Sequence, residues 1–223
     1  MEGFGRIFAR AAKRKGGKDA LEALLPVPKT DDALVSLGDD RYLSQFAKSI
    51  FQAGFVWRVV ENKWPGFEEA FLGFEPAQIA AWPDEELDAL MQDTRIIRNG
   101  AKIKAVRENA VFLGDLAREH GSAAQFFATW PVTDIAGLLD VMKRRGQRLG
   151  GMTGQYSLRS LGKDCFILSK DVTAALIGQG VVDKAPSSKR DLAAVQEAFN
   201  RWHEESGRPI SQISRILACS IGD

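Results

Sequence analysis

"RGQRLGGMTGQYSLRSLGKDCFILSKDVTAAL", residues 145–176, decides how this chain folds. It reads as the end of one helix, the turn "LGGMTG", and a second helix. Gly150, Gly151 and Gly154 fall within five positions of that turn. Glycine permits positive φ and close backbone approach, so the chain can reverse sharply there. The first N–H groups of the helix that follows then lack carbonyl partners. Such a turn is either a plain connection between two antiparallel helices or a seat for an anion, since orphan amides and the helix dipole both favour negative charge. The glycines alone favour the plain turn. The flanking charge puts the two readings level: from Lys143 to Lys163 the chain holds Lys143, Arg144, Arg145, Arg148, Arg159 and Lys163 without one acidic residue.

Outward from this hairpin the dominant period is helical. "DDRYLSQFAKSIFQAGFVWRVVENKW" (39–64) places Tyr42, Phe46, Ile50 and Val56 near one face and is interrupted at "QAG". "PDEELDALMQD" opens on Pro83 with an acidic first turn. "DTRIIRNGAKIKAVRENA" (93–110) is a tight junction that launches a basic amphipathic helix closed by Gly121. Helices are also expected over "SAAQFFATW", "IAGLLDVMKRRG", "SSKRDLAAVQEAFNRWHEESG" and "PISQISRILACSIG". No alternating apolar pattern of useful length marks a strand. The expectation is an all-α chain of about ten helices, with residues 1–37 an appended basic arm and 38–223 one domain.

Composition narrows the class without naming a partner. The chain has 223 residues, 45% hydrophobic and 26% charged, with a net charge of +1. That suits an ordinary globular protein with a sizeable core. The arm from Arg6 to Lys18 is basic and amphipathic, which suits a docking helix or a frayed end. Cys165 and Cys219 sit in apolar runs and read as buried thiols in a reducing cytoplasm. No Cys or His spacing suits a metal, so no metal and no cofactor is expected. No apolar run reaches the length of a membrane span, so no membrane partner is expected.

"LGGMTGQYSLRSL" resembles the L-P-G-V-G-x-x-T-A hairpin of the helix-hairpin-helix DNA glycosylases. Three segments, "DDRYLSQFAKSIFQAGFVW", "DTRIIRNGAKIKAVRENA" and "GRPISQISRILACSIG", are similar to segments of the DNA-3-methyladenine glycosylase I family. The similarity spans about residues 38 to 175, and the middle segment is its most specific part. The resemblance implies a helix-hairpin-helix glycosylase-like bundle, acting as a monomer on double-stranded DNA with alkylated bases. It implies a monofunctional DNA N-glycosylase of base excision repair, which flips an alkylated purine such as 3-methyladenine and hydrolyses its N-glycosidic bond.

Residue by residue, Trp57 matches the family's pocket tryptophan and Gln52 its glutamine. Phe55 matches an apolar residue at the DNA interface that acts as a wedge. Arg148, Gly150, Gly151, Thr153 and Gly154 are the expected backbone-holding residues of the hairpin, and Arg98 is a further expected DNA contact.

The departures are as specific as the matches. The family's pocket glutamate falls on Ser49, and the aspartate of the wider superfamily falls on Ser169, leaving Asp171 as the carboxylate close by. The family's N-terminal zinc cysteine and histidine have no counterpart in residues 1–38, nor do its N-terminal pocket tyrosine and tryptophan. Two alternatives follow. One is a catalytically impaired protein that binds DNA or its damage. The other is a helical protein unrelated to DNA, which would bind it weakly and without salt dependence.

Overall fold

The computed structural model describes residues 1–221. Among the described residues, fourteen α-helices and two short 3-10 turns make up the regular structure, and there is no strand. In chain order they are α1 (Phe4–Lys15), α2 (Lys18–Glu22), α3 (Asp31–Val35), α4 (Asp39–Gln52), α5 (Trp57–Ala70), α6 (Pro76–Ala80), α7 (Asp84–Leu90) and α8 (Gly100–His120). Then follow α9 (Ala123–Thr129), α10 (Ile135–Arg145), α11 (Met152–Leu161), α12 (Lys170–Gly178), α13 (Lys189–Ser206) and α14 (Ile210–Ser220). The sequence suggested about ten. The helices it passed over, α2, α3 and α6, are five residues long, too short to show a helical period. Gly222, the end of the expected last helix, lies outside the described residues.

The chain divides into two compact units. Unit one holds Met1–Lys29, Pro131–Gly137 and Gly162–Asp223. In it α1 packs on α14, which also receives α12 and α13. The appended arm expected over residues 1–37 is corrected here. Phe4, Ile7 and Ala11 of α1 are buried, Phe4 N donates to Glu205 Oε2 at 2.7 Å, and Trp202 Nε1 donates to Glu2 O at 3.2 Å. The basic residues that suggested an arm are the solvent face of an amphipathic helix whose other face is core. Asp164 accepts from Ile210 N and Ser211 N at 3.0 and 2.7 Å, which caps α14.

Unit two holds Thr30–Trp130 and Leu138–Leu161. Residues 30–37 therefore belong with it: α3 packs on α9, and Tyr42 Oη donates to Leu34 O at 3.3 Å. The long helix α8 runs through the unit against α4, α6 and α9, and α11 lies on α4. Its core is rich in rings. Trp64 stacks on Phe67 and Phe74 with centroids 5.0 and 5.4 Å apart, and Phe74 stacks on Phe71 at 5.2 Å. Glu68 ties this column to α4, accepting from both Arg41 guanidinium nitrogens at 3.0 Å, from Ser44 Oγ at 2.7 Å and from Trp64 Nε1 at 3.0 Å.

Among the described residues no helix is long and apolar enough to cross a membrane. Among the described residues no group of His, Cys, Asp or Glu is arranged to hold a metal ion.

Candidate functional site

The candidate site lies in unit two, where α4 gives way to α5. The interruption at "QAG" is a reversal: Gly54 takes φ +77°, a conformation that L side chains rarely adopt. α4 buries its last turn, and Gln52 is 9% exposed. The next residues turn outward, so Phe55, Val56, Trp57 and Val59 stand 43, 67, 48 and 46% exposed. Four exposed apolar side chains within five positions, three residues after a buried helix end, make a candidate binding edge.

Gln52 is the most informative side chain there. Its amide has no hydrogen-bond partner in the protein among the described residues, although the residue is nine-tenths buried. The side chain is packed, but its amide end reaches solvent and is open to a ligand. Trp57 begins α5, and its ring meets Tyr156 of α11 edge-on, with centroids 5.3 Å apart. Tyr156 was not singled out from the sequence; its place in the helix after the hairpin was visible, but the partner across the unit was not. Ser49, one turn before Gln52, is buried and its Oγ accepts from Gln45 Nε2 at 3.1 Å.

The junction at 93–99 packs against α5. Asp93 Oδ1 accepts from Arg95 N at 2.8 Å, Lys63 Nζ donates to Thr94 O at 2.7 Å, and Ile96 is buried. Gly66 of α5 allows this junction to pack: a Cβ there would lie 2.7 Å from Arg95 O. Asn99 Oδ1 then accepts from Lys102 N at 3.1 Å and starts α8. Arg98 is exposed and makes no ion pair among the described residues.

α8 sends Lys102 back to α4. Its ammonium donates to Phe51 O at 3.1 Å and Ala53 O at 2.7 Å, two carbonyls that the end of α4 leaves without helical partners. The same nitrogen lies 4.7 Å from the Phe55 ring centroid. Lys102 is 7% exposed. Burial lowers its pKa from the ordinary lysine value, and the Arg148 charge lowers it further.

The hairpin forms the facing side of the site. Asn109, fully buried on α8, accepts from Gln147 N at 2.8 Å and donates to Gln147 O at 3.0 Å. Arg148 follows with φ +58° and Gly151 with φ +59°. Gly154 lets the turn close: a Cβ there would stand 2.4 Å from Leu149 O. Ile50, Ala53, Lys102, Arg148, Gly150 and Thr153 line a cleft of about 370 Å3 between this hairpin and the end of α4. Its charged lining residues are both cations.

The expected residues are thus divided. Ser49, Gln52, Phe55, Trp57, Arg98, Arg148, Gly150, Gly151, Thr153 and Gly154 all belong to unit two. Asp171 belongs to unit one, exposed in the first turn of α12, where Ser169 Oγ accepts from Val172 N at 3.3 Å. Two other acids are committed elsewhere. Asp39 caps α9 by accepting from Ala123 N and Ala124 N at 3.0 and 2.7 Å, and Asp40 pairs with Arg41 at 2.9 Å.

Known proteins with similar sequence or fold share this part of the chain. A DNA-3-methyladenine glycosylase of Haemophilus influenzae is 41% identical over 59 residues, 26% of this chain and 32% of that protein. The Escherichia coli K12 DNA-3-methyladenine glycosylase 1 is 39% identical over 59 residues, with the same coverage. The match thus spans about a third of the length of these relatives. The 3-methyladenine DNA glycosylase I of Staphylococcus aureus, solved for its recognition of 3-methyladenine, superimposes with a TM-score of 0.50 at 25% identity, over 57% of this chain and 81% of its own. A second crystal structure of a 3-methyladenine DNA glycosylase I has the same score and identity, over 65% and 87%. The methyladenine glycosylase family model matches residues 35–157, more than half of the chain and nearly all of unit two's candidate site, and on that match the chain belongs to the methyladenine glycosylase family.

Proposed function

We propose that this protein is a DNA glycosylase that excises alkylated purines, 3-methyladenine among them, by flipping the nucleotide and hydrolysing its N-glycosidic bond in base excision repair. The observation that carries the reading is the half-exposed Trp57 ring set edge-on to Tyr156, five positions after a Gln52 whose amide makes no hydrogen bond among the described residues. A flipped base needs a ring to stack on and an amide to read its edge. Trp57 supplies the ring face, which also attracts a purine made cationic by alkylation. Gln52 supplies both a donor and an acceptor. Phe55 enters the stack where the base has left, and the hairpin with Arg148 holds the strand.

The chemistry asks little of the protein. A purine alkylated at N3 or N7 carries positive charge and departs readily, so flipping, desolvation and modest stabilisation of the sugar cation suffice. Ser49 at the family's glutamate place limits the enzyme to such labile bases, because a serine carries no negative charge. Asp171 is the carboxylate assigned for trial. Loss of base release in Asp171→Asn, with DNA binding kept, supports a catalytic part for it.

The test is a single-turnover reaction on methylated duplex DNA with the released bases separated by chromatography. Free methyladenine or methylguanine is expected. Tight, salt-dependent binding without release would instead support the second reading, a damage-binding protein that has lost catalysis. Ser49, Asp39 and Asp40 favour that alternative, since none offers a free carboxylate beside Trp57.

A further inference from the structure

Lys102 is a cation without an anion. Its side chain is buried, and no carboxylate lies within ion-pair reach of it among the described residues. Two of its three N–H groups go to neutral carbonyls, Phe51 O and Ala53 O. Rings of Phe51 and Phe55 flank it at 5.8 and 4.7 Å. A second cation, Arg148, faces the same cleft and adds repulsion. Burying an ammonium is costly, and placing another positive charge beside it raises the cost. Carbonyl dipoles repay part of this. The remainder is repaid when an anion arrives.

The cleft has the form for one. Gly150 narrows no part of it with a side chain, Thr153 brings a hydroxyl, and Arg148 holds a left-handed backbone (φ +58°) that glycine adopts more readily. Strain of that kind is retained where a side chain or carbonyl has to be aimed.

We propose that this cleft seats a single phosphodiester, with Lys102 as its buried counter-charge and Arg148 as its outer one. The proposal rests on the DNA reading above and adds a residue and a coupling to it. Lys102 lies under the Phe55 ring and holds the carbonyl two residues before it. Seating the phosphate therefore sets the wedge. Backbone capture and insertion into the stack become one event through one side chain, which makes Lys102 a positioning residue as well as a phosphate ligand.

Two probes decide it. In the first, inorganic phosphate is titrated into 15N-lysine-labelled protein; a saturable shift of the Lys102 ammonium is expected, absent in Lys102→Met. In the second, single methylphosphonate linkages, which are uncharged, are moved along a duplex. One linkage is expected to weaken wild-type binding about tenfold and Lys102→Met by less than about twofold. The same linkage is expected to be the one that alters fluorescence of a base analogue at the Phe55 insertion point. Equal sensitivity of Lys102→Met and wild type at every linkage overturns the proposal. So does an Lys102 signal indifferent to phosphate. A phosphate shift without any sensitive linkage assigns the cleft to a free anion and overturns the strand seat. A phosphate shift in a protein that binds no duplex refutes the DNA reading and leaves the anion seat standing. Should Lys102→Met not fold, Arg148→Ala, whose side chain is exposed, replaces it in the linkage scan with a partial loss expected at the same position.

Discussion

The side-chain amide of Asn109 takes both backbone groups of Gln147, donating to its carbonyl at 3.0 Å and accepting from its N–H at 2.8 Å. This pairing clasps the entry of the glycine hairpin to the middle of α8. It carries the junction at 93–99 and the hairpin on the same rigid rod, so Lys102 and Arg148 hold their spacing.

Asn109→Ala removes both bonds. Each bond contributes about 1 kcal/mol, and Gln147 is exposed and can turn to water instead, so the variant is expected to lose about 2 kcal/mol in urea denaturation. Its DNA affinity should fall as well, since the hairpin loses its anchor. Unchanged affinity with lowered stability would separate the clasp from the binding edge.

Gly154 and Gly151 are expected to respond in an order that composition does not suggest. Gly154 is inside α11, where alanine normally stabilises a helix by about 0.5–1 kcal/mol. Here the new Cβ meets Leu149 O at 2.4 Å, so Gly154→Ala should destabilise by about 2 kcal/mol or more. Gly151 takes φ +59° with open space around it, and Gly151→Ala should cost only about 1–2 kcal/mol. Thermal melting of the two variants checks the order.

These glycines also show what was legible in the chain before its folding. The hairpin, the helical class and the 93–110 junction were readable because turn glycines, caps and the 3.6-residue period are local signals. Gln52, Trp57 and Phe55 were reachable only through resemblance to a family motif, since an exposed tryptophan and a core one look alike in sequence. Lys102, Asn109 and Tyr156 acquire their meaning from partners between 38 and 99 residues away. α1 was legible in part, as an amphipathic stretch suited to docking. Its charges are continuous along the chain, while the face that matters, Phe4, Ile7 and Ala11, is spaced between them.

Phe55→Ala and Trp57→Ala should separate stability from function. Both side chains are about half exposed, so stability changes of under about 1 kcal/mol are expected. Base stacking is worth about 1–3 kcal/mol, so Trp57→Ala should lower single-turnover release by about 5–150-fold. Phe55→Ala should lower it through slower flipping, read with a fluorescent base opposite the lesion. A large loss of stability in either would return these rings to the core.

Arg98→Ala tests whether the junction touches the strand. A lost phosphate contact should weaken binding by a similar factor on all sequences and reduce the salt slope by about one. Affinity and slope equal to wild type would make 93–99 scaffold alone, since Ile96 and the Asn99 cap remain intact.

Glu68 sets the expected acid behaviour of unit two. Burial pushes its carboxyl up, but the Arg41 fork, Ser44, the Arg41 charge and Trp64 outweigh it and hold its pKa below the ordinary glutamate value of 4.5. A depressed pKa contributes stability that is complete above the unfolded value and is lost as pH falls through the folded one. The contribution should therefore be constant from neutrality to about pH 5 and disappear below 4.5. Both partners remain partly open to water, 28% for Glu68 and 38% for Arg41, so screening limits the expected effect to about 1–3 kcal/mol. Other carboxylates titrate in the same window, which makes the difference curve between wild type and Glu68→Gln the informative measurement. That difference should be flat above pH 5 and shrink toward zero in acid, where wild-type Glu68 is protonated and resembles the amide. A difference that persists unchanged below the ordinary carboxylate range would mean that shape, rather than charge, holds the aromatic column to α4.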